Sequence, residues 1–346
     1  MKCRTLICAP TNVAIAEVAS RVLKLVTESH EADSGTDSLF YSVGDILLFG
    51  NKDRLNVDSE IQEVYLDYRV NRLIECFAPL TGWWHCFNST IDFFEDCVSK
   101  YDIFVENELI KMKEHDDENE EKRETCSNEA DAPKGELNTF LEFMRHGFRS
   151  TALPLKRCLT LLCTHISEIY ILKHNIQNIV SLVGSLNSFE SWLFHADVIS
   201  DELLEVFSHP EFDGDSFQVF DDIVLRLQLE RSECLTLLRT VQDSLRHLNL
   251  PSAMNRRSIE DFCFQTATLF FCTASSSYKL HSLPIEPLNY LVVDEAAQLK
   301  ECESTIPLQL PGIRHAILIG DECQLPAMVE SNVWKCYFVV LSLSFC

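Results

Sequence analysis

Two short apolar runs, each followed by an acidic residue, constrain the fold of this chain more than any other feature. Residues 291–293 (LVV) lead into Asp294 and Glu295, and residues 316–319 (AILI) lead into residues 320–321 (GD). Short apolar runs bounded by polar residues are typical of parallel strands that are buried on both faces. In open α/β sheets, ligands bind at the carboxyl ends of the strands. We therefore predict an α/β fold in which both acidic sites face one crevice.

The acidic pair after the first run has two interpretations. An Asp at such a strand end holds the phosphate-bound Mg²⁺ in P-loop nucleotidases, and the neighbouring Glu could polarise an attacking water. Alternatively, Asp294 and Glu295 are only the N-cap and first turn of a helix. The two residues by themselves do not decide between these interpretations.

The longer strings around these carboxylates are more specific. VVDEAAQ at residues 292–298 is followed by GDECQLPAMV at residues 320–329. Together they resemble motifs II and III of superfamily 1 helicases of the senataxin and nonsense-mediated-decay type. The resemblance implies a P-loop NTPase fold with a RecA-like parallel sheet, interrupted by a large and mainly helical insertion.

The same resemblance implies roles for five residues. Asp294 would hold Mg²⁺, and Glu295 would activate the water that hydrolyses ATP. Gln324 would sense the γ-phosphate, while Gly320 and Asp321 would set the turn of the nucleotide site. Carboxylates, a metal ion and polar side chains are the groups that phosphoryl transfer requires.

The beginning of the chain predicts a strand followed by a helix. Residues 5–9 (TLICA) are apolar, residues 10–12 (PTN) interrupt the run, and a helix is predicted from Val13 to about Thr27 with Asn12 as its N-cap. The string APTNVA resembles motif Ia, which contacts the backbone of single-stranded nucleic acid in this helicase family. By that resemblance Pro10, Thr11 and Asn12 would bind the strand. An ordinary strand–helix turn is the alternative.

A second hydroxyl-rich segment follows a later strand. Residues 267–273 (ATLFFCT) predict a strand, and residues 274–277 (ASSS) follow it. The family has a motif of the TxSS type here, which contacts nucleic acid. Thr273 and Ser275 are the matching positions.

These matches divide the chain into parts. We expect residues 1–30 to form the first part of RecA-like domain 1A, with motif Ia, and residues 263–331 to form its second part, with motifs Ic, II and III. Residues 31–262 would be the insertion. It would hold a small β element near residues 40–50, an acidic loop at residues 114–131 and a helical stalk at residues 137–250.

Composition limits where such a chain can act. The net charge is −24, whereas nucleic-acid binders usually have a basic surface. The 15 cysteines contain no C-x-x-C pair, which favours reduced thiols in a reducing compartment. No signal peptide or membrane span is recognisable, so we expect no membrane partner and a location in the nucleus or cytoplasm, with the nucleus favoured by the resemblance.

The sequence also departs from the family pattern. It contains no G-x-x-x-x-G-K-[ST] loop, which the family places just upstream of motif Ia, and no second RecA-like domain. The tail at residues 332–346 is atypical. We therefore expect a fragment of an ATP-dependent RNA or DNA helicase, with ATP and Mg²⁺ as cofactors, single-stranded RNA or DNA as partner and possible protein partners in RNA processing. The alternative is a catalytically inactive helicase-like module that binds nucleic acid or protein.

Overall fold

The chain divides into two compact units. The computed structural model describes residues 3–33, 42–55, 57–123, 139–167, 169–208, 222–248 and 250–321. The first unit comprises Met1–Asp33, Val43–Val70 and Glu260–Cys346, and the second comprises Ser34–Ser42 and Asn71–Ile259. Helices α3 (Leu66–Phe77) and α9 (Arg256–Thr266) each cross a boundary between the units along the chain.

The first unit is built on a five-stranded parallel sheet. Its strands are β1 (Thr5–Ala9), β2 (Ile46–Leu48), β3 (Leu269–Thr273), β4 (Tyr290–Val293) and β5 (His315–Leu318). Their spatial order is β2-β3-β1-β4-β5, and every neighbouring pair is parallel. The predicted α/β fold with a parallel sheet is confirmed.

The central strands bury one face of the sheet completely, whereas Ile7 and Val292 on the other face are half-buried. Leu6, Phe270 and Leu291 stand side by side in the register of β3, β1 and β4, and each is fully buried. The helices that belong wholly to this unit are α1 (Asn12–Asp33), α2 (Lys52–Leu55) and α10 (Glu301–Leu308). Short 3₁₀ helices at Gln62–Val64, Ser275–Ser282 and Ala296–Gln298 complete it.

Strand β2 corrects the expectation of a separate small β element near residues 40–50. Ile46–Leu48 pairs in parallel with β3 and belongs to the main sheet. All three of its residues are buried, which requires a partner strand and a covering layer. The pairing joins segments far apart in sequence, and a local pattern of apolar residues does not show which distant strand will be the partner.

A buried arginine fastens the amino-terminal end of the sheet. The Arg4 guanidinium donates hydrogen bonds to the carbonyl oxygens of Phe264 (2.6 Å), Ala267 (2.8 and 3.1 Å) and Glu286 (2.8 Å). Only 3% of the Arg4 surface is exposed. Burial lowers the pKa of Arg4 from its ordinary value, and the charge of Glu286 opposes that change. One side chain thus joins β1 to the end of α9 and to the loop before β4.

The second unit is helical. It contains α4 (Trp83–Arg123), α5 (Phe140–His165), α6 (Lys173–Leu193), α7 (Ser200–Ser208) and α8 (Asp222–Leu245). Helix α4 packs along α5, and α6 packs along α8. Phe94, Phe148 and Phe189 meet in the core, with the rings of Phe94 and Phe189 5.0 Å apart and nearly perpendicular.

Helix α4 is interrupted and extends into the segment that was predicted to be an acidic loop. Its backbone leaves helical geometry at Asp96, and Arg231 of α8 donates hydrogen bonds to the carbonyl oxygens of Phe94 (2.8 Å) and Glu95 (3.3 Å) beside the break. The helix continues to Arg123. The first part of the expected acidic loop at residues 114–131 is therefore helical, because Glu and Lys are good helix formers even in a charged run.

No helix in the described part of the chain is long and apolar enough to cross a membrane.

Candidate functional site

The predicted site residues follow neighbouring strands at one edge of the sheet. The N–H of Ala274 donates to Ala9 O at 3.0 Å, that of Asp294 donates to Cys8 O at 2.8 Å, and that of Ile319 donates to Val293 O at 2.8 Å. These bonds bring together the segments that leave β3, β1, β4 and β5. We call this the carboxyl edge, defined by residues 10–12, 273–275, 294–295 and 320–321.

Thr11 begins helix α1 at the carboxyl edge. Its Oγ1 accepts a hydrogen bond from the N–H of Ala14 at 3.2 Å, and its carbonyl accepts from Ile15 at 3.2 Å. These two bonds are the signature of an N-cap, so the predicted capping role of Asn12 is wrong. Asn12 is the first residue of the helix. Both Thr and Asn are good caps, and sequence alone could not decide between neighbours.

The remaining residues of the first segment differ in exposure. Thr11 is exposed, whereas Pro10 and Asn12 are half-buried. The Asn12 Oδ1 lies 3.8 Å from the position that a Cβ on Gly50 would occupy. Asn12 therefore faces the segment that follows β2, and only Thr11 of the three is fully presented to solvent.

The hydroxyl segment after β3 is ordered by its own side chains. Thr273 is 7% exposed, and its Oγ1 donates to Ser276 Oγ at 2.8 Å and accepts from the N–H of Ser276 at 3.3 Å. Thr273 thus holds the turn and is not brought to the surface. Ser275 is exposed and forms no hydrogen bond through its side chain within the described residues.

The two carboxylates after β4 have different surroundings. Both are half-buried. Glu295 Oε2 accepts a hydrogen bond from Gln298 Nε2 at 3.0 Å. Within the part of the chain that the structure describes, no side chain donates to the Asp294 carboxylate. Gln298 thus contacts a candidate site residue and was not itself predicted, although its spacing of three from Glu295 was a usable signal.

Glu295 has a backbone conformation that is rare for its residue type. Its φ of 50° and ψ of 39° are left-handed, and among the described residues it is the one non-glycine with positive φ. This conformation costs roughly 1–3 kcal/mol and occurs preferentially at functional sites. The N–H of Ala296 donates to Ile319 O at 2.7 Å and so fixes the turn against the end of β5.

Gly320 allows the turn that contains Glu295 to lie close to the end of β5. A Cβ at position 320 would lie 2.8 Å from Ala297 N and 3.2 Å from Ala296 N, which is too close without a backbone shift. Gly320 and Asp321 are exposed at the end of the described region. Gln324 lies outside the described residues, and its role as a γ-phosphate sensor stays a prediction.

The donor set can be compared with what Mg²⁺ requires. The described residues contain no group of three His, Cys, Asp or Glu side chains that could hold a metal ion. Mg²⁺ in phosphate-transfer sites needs only one or two carboxylates, because waters and substrate phosphates supply its other ligands. Asp294, a carboxylate without a donor among the described residues, fits that requirement.

Two thiols lie behind the carboxyl edge. Cys8 of β1 and Cys272 of β3 are paired in register and their sulfur atoms are 4.0 Å apart. Both are fully buried, and burial together with the neighbouring thiol raises the pKa of Cys272. Cys272 is therefore protonated at neutral pH, and the two thiols fill space in the core of the sheet.

The comparisons with known proteins identify the family. A family model described as an AAA domain, designated AAA_11, matches residues 1–332. No curated protein matched the chain. The match covers the sheet, the helical unit and the carboxyl edge, and the parallel sheet agrees with the RecA-like core of P-loop NTPases. The chain belongs to the AAA_11 family of AAA domains, a helicase-like family of P-loop NTPases.

Proposed function

We propose that this chain is part of an ATP-dependent RNA or DNA helicase of the senataxin and nonsense-mediated-decay type, in which ATP hydrolysis drives movement along a single strand. One observation carries the proposal. The Asp294 carboxylate, without a donor among the described residues, lies at the same sheet edge as the exposed residues Thr11 and Ser275. A nucleotide site and a strand-binding surface would then be adjacent.

The nucleotide side of the proposal assigns each carboxylate a separate task. Asp294 would hold Mg²⁺, which neutralises charge on the β- and γ-phosphates when bound. Glu295 uses one oxygen to accept from Gln298, and its other oxygen would accept a proton from the attacking water. Gln298 would therefore fix the direction of the Glu295 carboxylate. Gln324 would sense the γ-phosphate, while Gly320 and Asp321 would set the turn beside it.

The nucleic-acid side rests on hydroxyl and amide groups. Thr11, Asn12 and Ser275 would contact sugar or phosphate oxygens, a mode of binding that fixes the strand without reading its sequence. Pro10 would shape the turn, and Thr273 would act through Ser276. Because the chain carries a net charge of −24, we expect weak binding that falls steeply with salt.

A second candidate function is a helicase-like module that binds nucleic acid or protein without catalysis. The observation that favours it is the absence of a G-x-x-x-x-G-K-[ST] loop from the 346-residue sequence. That loop supplies the N–H groups and the Lys that cradle the phosphates. We therefore expect this chain to hydrolyse ATP far more slowly than a typical enzyme at about 10 s⁻¹. RNA-processing proteins are possible partners, in the nucleus or the cytoplasm.

Nucleotide coupling distinguishes the two functions. The affinity for fluorescent single-stranded RNA is measured by anisotropy with and without millimolar ATP and Mg²⁺. The helicase proposal expects the nucleotide to change the affinity in the wild type but not in Asp294→Asn. An affinity that is identical with and without nucleotide in both proteins supports the binding module. Turnover near the typical value that is abolished by Glu295→Gln would refute the expectation that the phosphate loop is essential.

A further inference from the structure

The 3₁₀ helix Ser275–Ser282 presents a regular face at the carboxyl edge. A 3₁₀ helix has three residues per turn, so residues three apart lie above one another. Ser277 and Leu280 are buried, and they are three apart. Ser275, Tyr278 and His281 are all exposed and share the next face. Ser275 and Tyr278 are separated by one turn, about 6 Å along the axis.

Tyr278 is the large side chain on this face. Its relative exposure is 61%. Within the described residues its hydroxyl forms no hydrogen bond and its ring packs against no other aromatic ring. Tyr290 of the same unit differs, because its ring stacks on His315 at 5.1 Å. Among the described residues, Tyr278 therefore makes neither an aromatic contact nor a hydrogen bond.

The position of the helix places this ring beside the proposed strand-binding surface. The helix starts directly after Ala274, whose N–H donates to Ala9 O at 3.0 Å. Ser275 thus follows the contact that joins β3 to β1, and Thr11 follows Ala9 after one residue. A strand whose phosphates contact Thr11 and Ser275 would have a base within reach of Tyr278.

The charge beside Tyr278 suits an anionic partner. Lys279 is exposed, and in the described part of the chain it forms no ion pair. Lys156 differs, because it pairs with Glu190 at 2.7 Å. His281 Nε2 contacts Ile306 O at 3.0 Å and helps to hold the helix against α10. The helix therefore presents one aromatic ring and one unpaired cation from a supported backbone.

We propose that Tyr278 is a stacking platform for a base of single-stranded nucleic acid, with Lys279 offsetting the charge of a neighbouring phosphate. The inference rests on the proposed function, since Thr11 and Ser275 would hold the backbone of that strand. Base–aromatic stacking tolerates any sequence, because every base has a π-face. Stacking would add affinity at a surface where the hydroxyl contacts alone bind weakly, because the chain is strongly acidic.

An abasic strand separates stacking from phosphate contact. Fluorescent oligouridine and an oligonucleotide with the same backbone but no bases are titrated at low salt with the full chain. We expect the wild type to bind oligouridine more tightly by roughly 5- to 100-fold, the range that corresponds to stacking of one base. Tyr278→Leu should remove that preference and leave the affinity for the abasic strand unchanged. Tyr278→Phe should keep the preference.

Other outcomes overturn the inference in distinguishable ways. If the wild type binds both strands equally, or if Tyr278→Leu still prefers oligouridine, Tyr278 does not stack on a base and the proposed function still stands. If Tyr278→Leu lowers the affinity for both strands equally, the role of Tyr278 is structural. If the wild type binds neither strand, the proposed function fails and the inference fails with it. Trp84→Leu, which removes a part-exposed ring from the helical unit, is the control and should change neither affinity.

Discussion

The N–H of Ala296 donates a 2.7 Å hydrogen bond to the carbonyl oxygen of Ile319. This bond ties the turn that contains Glu295 to the end of β5, and it requires close approach of the two backbones. The left-handed conformation of Glu295 is therefore maintained by a neighbouring strand and not by its own residue type.

Gly320→Ala should loosen this junction. The added Cβ would lie 2.8 Å from Ala297 N, so the backbone must shift, and we expect a loss of about 1–3 kcal/mol of stability. Hydrogen exchange at the Ala296 amide should accelerate. Gly184→Ala is the matched control, because a Cβ there meets nothing within 4 Å inside α6 and should stabilise by about 0.5–1 kcal/mol. Unchanged protection of Ala296 in Gly320→Ala would contradict the account.

Arg4→Met should destabilise the sheet strongly. The substitution keeps the length of the side chain but leaves the buried carbonyls of Phe264 and Ala267 without their donor. We expect a loss of at least about 3 kcal/mol, measured from the urea midpoint. Arg21→Met removes an exposed ion pair with Glu17 and should change stability by less than about 0.5 kcal/mol. Equal losses of stability in the two variants would show that Arg4 does not stabilise the sheet.

The thiols should separate into two reactivity classes. Cys3 and Cys302 are exposed and should react quickly with Ellman's reagent at pH 8, whereas the nine buried cysteines of the described region should react only in denaturant. Burial raises the pKa of Cys163 to about 12 and that of Cys263 to about 11, from an ordinary value of 9.0. Rapid modification of Cys163 or Cys263 in the folded protein would contradict the burial that the structure gives them.

The same pKa values fix a pH dependence. Because the folded-state pKa values of Cys163 and Cys263 exceed the ordinary value of 9.0, the folded state retains protons that the unfolded state loses. Their contribution to stability is complete below pH 9 and is lost as the pH rises through about 11 to 12. The urea midpoint should therefore be lower at pH 10.5 than at pH 8, and Cys263→Ala should reduce this difference. An unchanged difference in that variant would exclude Cys263 as a source.

Strand β5 should promote association of the chain with itself. Its residues are exposed, with 50% exposure for Ile317 and 60% for Leu318, and within the described region it pairs only with β4. Apolar edge strands are templates for further pairing, and charge on the edge suppresses it. Leu318→Lys should raise the monomer fraction in size-exclusion chromatography with light scattering. Leu229→Lys, an equally exposed apolar position on α8, is the control and should have no effect. Equal monomer fractions for wild type and Leu318→Lys would refute the prediction.

Part of the fold could be predicted from local sequence. Strands β1, β3, β4 and β5 each combine an apolar run with a polar end, and that pattern indicates both a buried parallel strand and the edge at which ligands bind. The strands and their parallel pairing are confirmed, but the expected burial of β5 is wrong, because its residues are exposed. Strand β2 could not be assigned to the sheet, because Ile46–Leu48 gains its partner only from a distant segment. Pairing between distant strands is a tertiary property.

The positions of the candidate site residues were predictable to a similar degree. The segments at Thr11, Ser275 and Asp294 meet as their strand ends suggest. The burial of Thr273 and the contact of Gln298 with Glu295 depend on turn geometry, which residue types alone do not fix. The left-handed backbone of Glu295 could not be predicted either, because the position holds neither glycine nor asparagine, the residues that favour this conformation.

The central claim is that the carboxyl edge holds a single strand, and one binding measurement tests it most directly. Single-stranded RNA is titrated at low salt with the wild type, with Thr11→Ala/Ser275→Ala, and with Thr160→Ala/Thr236→Ala, which removes two exposed hydroxyls of the helical unit. Melting curves establish that both double variants are folded. The account predicts that the first pair weakens binding by at least about tenfold, since hydrogen bonds to charged phosphates are lost, while the second pair binds like the wild type. Equal affinity of all three proteins would contradict it.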